Sequence, residues 1–217
     1  MTGMVGKLVV VEGLDGAGKR TLTDKLTSVL TGQGATVTGL DFPRYDRSTP
    51  ADLVRDALHG GMGDLADSVH GMAVLFALDR LGAREEIRAA LAGHDIVLLD
   101  RYVASNAAYG AARLRQDAHG EFVAWVRALE IDRFDLPVPD AHLLLRVPVQ
   151  VAALRAAHRE STEADRTRDR FEADDGLQER CARVYDGLAG IDWLAPWQVL
   201  EGAAGLDPDR LAAALLA

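Results

Sequence analysis

Apolar and polar positions follow two rhythms along this chain. Residues 7–12 (Lys7-Leu8-Val9-Val10-Val11-Glu12) and 95–100 (Asp95-Ile96-Val97-Leu98-Leu99-Asp100) are runs of consecutive apolar positions. Such runs suit strands buried on both faces, as in the middle of a parallel sheet. Residues 35–40, 141–147 and 197–200 read as further strands. Between them the apolar spacing changes to three and four. Leu22, Leu26, Val29 and Leu30 predict a helix over 21–30, ended by Gly32 and Gly34. Helical patterns recur at 50–58, across most of 65–91, and at about 120–131, 148–158 and 177–188. Pro148 and Pro208 each suit the first turn of a helix, and Gly93 suits a helix end. Ser105, Asn106 and Tyr109 stand at the start of one more helix. Strands alternating with helices predict an α/β fold, with a parallel sheet of about five strands and helices on both faces.

The turn after the first strand carries the strongest chemical signal. Gly13-Leu14-Asp15-Gly16-Ala17-Gly18-Lys19-Arg20-Thr21 follows G-x-x-x-x-G-K-[ST] in the strand–loop–helix context that this motif needs. Glycines let the backbone turn tightly, so that successive N–H groups converge on phosphate oxygens. The helix N-terminus adds its positive dipole end, and the Lys19 ammonium reaches the β- and γ-phosphates. Arg20 stands where a Mg²⁺-binding hydroxyl is usual, with Thr21 one residue late. The competing reading is a surface Gly-rich turn without a ligand. The strand ahead of the loop favours the nucleotide site and sharpens the fold class to a P-loop NTPase-type three-layer sandwich.

Composition changes little in that picture. The 217 residues fit one domain over 1–217, with a lid segment at about 155–175, and no repeat or long linker divides them. A content of 48% hydrophobic and 26% charged residues is ordinary for a chain with a sizeable core. A net charge of −9 argues against nonspecific adhesion to nucleic acid or anionic lipid, so anionic substrates need local basic clusters. One cysteine, Cys181, excludes an internal disulfide framework and suits a reducing cytoplasm. No apolar run approaches the ~18 residues of a membrane span, and the N-terminus has no signal-peptide layout.

Other residues cluster by type. Asp41-Phe42-Pro43-Arg44-Tyr45 lies at the carboxyl end of the second strand, the edge where open α/β sheets bind ligands. Phe76 and Arg80, four apart, share a helix face. Asp100 ends the central strand where P-loop enzymes place a second metal- or water-binding carboxylate; it also fits as a strand terminator. Residues 155–175 hold Arg155, Arg159, Arg166, Arg168 and Arg170 among many acids, which suits either a solvated helix face or a lid carrying arginines over phosphates.

The ordered set of P-loop, Phe42-Pro43-Arg44, Phe76-x-x-x-Arg80 and Asp100-Arg101-Tyr102, with an Arg-rich segment downstream, resembles the bacterial thymidylate kinase (dTMP kinase) family over nearly the whole chain. Gly16-Ala17-Gly18-Lys19-Arg20-Thr21 and Asp100-Arg101-Tyr102-Val103-Ala104-Ser105-Asn106-Ala107-Ala108-Tyr109 look most like the actinobacterial, mycobacterial-type form. The resemblance implies an ATP- and Mg²⁺-dependent, cytoplasmic, homodimeric enzyme converting dTMP to dTDP. It implies that Phe76 stacks on thymine, Arg80 donates to its O4 edge, Asn106 helps fix the base, and Tyr109 crowds the 2′ position. Arg44 and Arg101 would hold the monophosphate, Phe42 would line the pocket, and Tyr45 would lie near sugar and phosphate. Asp15 would position the 3′-hydroxyl and the metal environment, and Lys19, with Gly13 to Thr21, would hold ATP. Arg155, Arg159 and Arg166 would cover the ATP phosphates, and Asp15, Lys19, Arg101 and Arg159 would form the catalytic set. Asp15, Asp100 and Glu172 would supply the metal's carboxylates.

Phosphoryl transfer gives those residue types a reason: two anions must meet in line while arginines and a metal neutralise charge. Stacking on Phe76 cannot choose among bases, so Arg80 is the candidate for specificity. An acceptor that is already an anionic phosphate needs no strong base. Blander readings compete: Phe76 as core filler, Arg80 as a surface partner of Glu85 or Glu86, and Tyr45, Asn106 and Tyr109 as turn or helix residues. Arg20 departs from the usual metal shell, and Phe171 replaces a tyrosine frequent in the subfamily. The rivals are another nucleotide kinase of the same fold and a P-loop switch without transfer, although the Asn-Lys-x-Asp guanine motif of switches is absent from the chain.

Overall fold

The computed structural model describes residues 6–162, 175–202 and 207–216. Five strands form one parallel sheet: β1 (Lys7–Glu12), β2 (Val37–Asp41), β3 (Ile96–Asp100), β4 (Ala141–Arg146) and β5 (Trp197–Glu201), in the order β2-β3-β1-β4-β5. Every pairing is parallel. The two runs with consecutive apolar interiors became β1 and β3, which lie side by side at the centre. Neither alternates polar with apolar residues, because helices cover both faces, and Val9, Val10, Val11, Val97 and Leu99 are fully enclosed.

The helices are α1 (Lys19–Gly32), α2 (Thr49–Leu58), α3 (Val69–Gly93), α4 (Val103–Arg113), α5 (Glu121–Arg127), α6 (Val149–Thr162), α7 (Asp175–Gly190) and α8 (Pro208–Leu216). Two expected boundaries changed. The helical pattern over 65–91 splits into a 3₁₀ turn at Leu65–Asp67 and α3, because the Ser68 hydroxyl accepts the Gly71 N–H at 3.0 Å and caps a fresh helix. The pattern over 120–131 becomes α5 followed by a π-helix, Ala128–Arg133.

The sheet and its flanking helices share one large apolar core. A smaller cluster of Val54, Ala57, Leu58, Ala66 and Met72 joins α2, the 3₁₀ turn and α3, with Phe76 half-buried at its margin. The Phe42–Pro43 peptide bond is cis. The carboxyl ends of β1, β2 and β3 lie in register: Val11 pairs with Asp100, and Asp100 with Asp41. Chemistry-bearing residues therefore collect along one edge, where ligands lodge in open parallel sheets. Among the described residues no helix is long and apolar enough to cross a membrane.

Candidate active site

The loop between β1 and α1 is shaped by close backbone approaches. Gly16 has φ +80°, and a Cβ there would lie 2.1 Å from the Ala152 carbonyl oxygen of α6. Gly18 caps α1 in the left-handed conformation without any side-chain cap, so the first N–H groups of α1 remain available to an anion. Lys19 is buried and folds back on its own loop, donating to the carbonyls of Leu14 (3.0 Å) and Gly13 (3.3 Å). Burial, then the nearby Arg101, pull its ammonium down to about 8, against the pull of Asp100, Asp15 and Glu12. Arg155 Nη1 donates to the Ala17 carbonyl at 3.2 Å, which sets one arginine of the lid segment on the loop. Arg159 falls within α6; Arg166 and Glu172, with the rest of the expected lid segment over 163–174, lie outside the described residues.

Across from the loop stands Arg101, at φ +66°, a backbone region that non-glycine residues rarely occupy. Its Nη2 donates to Asp15 Oδ1 at 2.6 Å, and the Tyr109 hydroxyl donates to Asp15 Oδ2 at 2.7 Å. Burial pushes the Asp15 carboxyl up, but Arg101, Lys19 and Tyr109 together outweigh it and hold it well below the usual carboxylate range. Both oxygens of Asp15 are thus taken up by donors from the end of β3 and from α4. Among the described residues no three acidic, histidine or cysteine side chains gather to hold a metal ion; Glu172, the third carboxylate that the resemblance implied beside Asp15 and Asp100, lies outside them. Asp100 does keep a buried Oδ1 without a partner among those residues.

Beneath Arg101 lies a buried network that the sequence did not disclose. Glu12 Oε1 accepts the N–H groups of Tyr102 (2.9 Å) and Ser105 (3.2 Å). Its Oε2 accepts the hydroxyls of Ser105 (2.6 Å) and Tyr185 (2.9 Å). Arg101 Nη1 in turn donates to Ser105 Oγ at 3.0 Å. Burial raises the Glu12 carboxyl above its ordinary value despite these donors and the Arg101 charge. The one signal was a charged residue closing an otherwise apolar strand; nothing marked Tyr185 in its helix.

The base-reading candidates also come together. Arg80 is buried, not at the surface: its Nε and Nη2 grip Glu130 Oε2 and Oε1 at 2.5 and 2.8 Å, and the Glu85 or Glu86 alternative fails. Asn106 is buried on α4 and shares that carboxylate. Arg44 is committed to α3: its backbone N–H and Nε both donate to the Asp79 carboxylate at 2.9 Å, and its Nη2 donates to the Asp79 carbonyl at 2.7 Å. A monophosphate would have to share or displace those contacts. Phe42 is buried against Tyr102, and Tyr45 lies under the Arg55 guanidinium. Thr21 and Arg20 are exposed on the first turn of α1.

A family model described as thymidylate kinase matches residues 11–197. The chain belongs to the thymidylate kinase family. It is similar to the thymidylate kinase of Mycobacterium tuberculosis (strain ATCC 25618 / H37Rv), 49% identical over 208 residues that make up 96% of each protein. It is also similar to those of Xanthomonas oryzae pv. oryzae (strain PXO99A), 36% identical over 84% of this chain and 72% of the relative, and Bifidobacterium longum (strain NCC 2705), 32% identical over 87% and 86%. The mycobacterial closeness expected from the loop and from Asp100 to Tyr109 is borne out, and the five-stranded parallel sheet is that of a P-loop thymidylate kinase.

Proposed function

We propose that the chain transfers the γ-phosphate of ATP to dTMP, giving dTDP. The observation that carries this reading is the Arg101–Asp15–Tyr109 junction, which joins the phosphate loop to a wall bearing Arg80 and Asn106. Donor phosphates lie over the loop amides and the N-terminus of α1, with Lys19 turning from its own carbonyls to meet them. Arg101 has the planar fork that matches the acceptor phosphate, and the Glu12 network holds it in place. Arg44 supplies a second fork by exchanging part of its hold on Asp79. Phe76 offers a face for stacking, worth ~1–3 kcal/mol per base.

Mg²⁺ fits the donor set, since Asp100 Oδ1 is a hard anionic oxygen left without a partner among the described residues at the end of β3. Asp100 is the residue that would hold it, with water and phosphate oxygens completing the shell because Arg20 offers none. Bound there, the ion neutralises charge on the transferring phosphates. Arg155, with Arg159 and Arg166 from the lid, completes the positive surround. We further propose that the enzyme is a cytoplasmic homodimer. A panel of dTMP, dUMP, dCMP, dGMP and AMP with ATP tests the reaction: dTMP should have the highest kcat/KM, and a different best acceptor would overturn the assignment.

A further inference from the structure

Glu130 has no part in the reading above, yet it sits at the centre of the base-reading wall. It lies on the π-helix Ala128–Arg133, and it alone of those six residues is buried. A π-helix inserts an extra residue into a helical turn, a rare device that is frequent at functional sites. Here the chain recovers through Phe134 N–H to Leu129 O at 3.0 Å and Leu136 N–H to Glu130 O at 3.1 Å. The side chain reaches α3 and α4 at once. One oxygen, Oε1, accepts from both Arg80 Nη2 and Asn106 Nδ2, each at 2.8 Å, while Oε2 accepts from Arg80 Nε.

That arrangement fixes two orientations. Asn106 Nδ2 also donates to the Ala73 carbonyl at 3.0 Å, so both of its hydrogens point at acceptors and the amide has only one sensible assignment. Asn106 Oδ1 and Arg80 Nη1 are left over. Neither meets a partner among the described residues and neither is among their buried unpartnered atoms, so each keeps a sliver of accessible surface although Arg80 and Asn106 are only 3% and 6% exposed. The wall therefore offers a donor from Arg80 beside an acceptor from Asn106, tied together by one carboxylate oxygen.

We propose that Glu130 is a positioning residue that makes this site choose thymine over cytosine. Thymine carries an O4 acceptor beside an N3–H donor, the complement of the Arg80 donor and Asn106 acceptor. Cytosine carries an amino donor beside an unprotonated N3, the reverse pattern. Stacking on Phe76 does not separate the two. Discrimination requires that Asn106 be unable to turn over, and the Glu130 carboxylate, which accepts only, prevents it. This role rests on the dTMP reading.

The test is Glu130→Gln, with kcat/KM measured for dTMP and dCMP and KM measured for ATP. The new amide brings one acceptor where there were two, and its NH₂ lets the Asn106 amide invert and show Nδ2 to the base. The dTMP-to-dCMP ratio of kcat/KM should fall by ~10-fold or more, the worth of one buried polar contact, with KM for ATP nearly unchanged. A carboxylate that merely neutralised Arg80 would lower both acceptors alike, and an unchanged ratio would overturn the proposal. If the Gln variant does not fold, Glu130→Asp keeps the charge but withdraws the carboxylate; the same ratio should fall by a smaller factor, and constancy again overturns the role. Failure of the parent enzyme to phosphorylate dTMP would instead overturn the functional reading, and it is seen before any variant is made.

Discussion

Arg101 Nη2 donates to Asp15 Oδ1 across 2.6 Å, a bond that ties the end of β3 to the middle of the phosphate loop. The donor and acceptor halves of the site are thereby held at one spacing, as in-line transfer between two phosphates requires. Arg101→Lys keeps the charge but loses the fork that reaches Asp15 and Ser105 together. The expected loss in kcat/KM for dTMP is ~10²–10³-fold, with the fold retained. Asp15→Asn should cost less once Arg101 is gone. A double-mutant cycle on kcat/KM should give a coupling of ~0.5–3 kcal/mol, and strict additivity would contradict the junction.

The fold was legible because its signals were local. Consecutive apolar residues at Leu8 to Val11 and Ile96 to Leu99 announced the buried strands, and the loop glycines announced the turn. Arg101, Asn106, Tyr109 and Arg80 were singled out through resemblance; Arg101 and Tyr109 meet at Asp15, and Arg80 and Asn106 at Glu130. The residues that orient them were not. Glu12, Asp79, Glu130 and Tyr185 act across sequence separations of 24 to 173 residues, and spacing along a chain carries no trace of such contacts. Glu130 was further hidden by a π-helix that α-helical periodicity cannot anticipate.

Lys19 gives a prediction in pH. Burial and Arg101 lower its ammonium to about 8 in the ligand-free protein, so its charge is present below that pH and lost above it. The profile of kcat/KM for ATP reports the free enzyme. It should fall as pH rises through about 8, whereas kcat at saturating ATP should fall only at higher pH, since bound phosphates favour the charged form. A kcat/KM profile that stays flat from neutrality to well above pH 9 would remove Lys19 from that role.

The two loop glycines should respond differently to alanine. At Gly16 a Cβ meets the Ala152 carbonyl at 2.1 Å, and the rigid backbone of α6 must retreat. At Gly18 the nearest atoms are Arg155 Nη1 and Leu145 Cδ2, both at 3.9 Å, so only the left-handed backbone, at φ +101°, resists. Gly18→Ala should cost ~1–2 kcal/mol of stability and keep measurable turnover. Gly16→Ala should cost more stability and raise KM for ATP more, because it moves the helix that carries Arg155. Equal effects in thermal unfolding and in KM would show that loop strain alone matters.

His142 bears on acid stability. It is fully enclosed in β4 and stacks on Trp197 at 4.3 Å between ring centroids, and neither ring nitrogen has a partner among the described residues. Burial pulls the imidazole down to about 3, so the folded protein keeps it neutral where the unfolded chain, titrating near 6.5, takes up a proton. The stability from this difference is fully present above pH 6.5 and declines as pH falls from 6.5 towards 3. At pH 5 the decline is about 2 kcal/mol. His142→Phe keeps an aromatic ring against Trp197, removes both orphaned nitrogens and cannot be protonated. Urea unfolding at pH 7.5 and pH 5 should show the parent losing about 2 kcal/mol more than the variant over that interval. Equal losses would mean that the acid sensitivity of this fold resides in its carboxylates, because every other contribution is common to the two proteins.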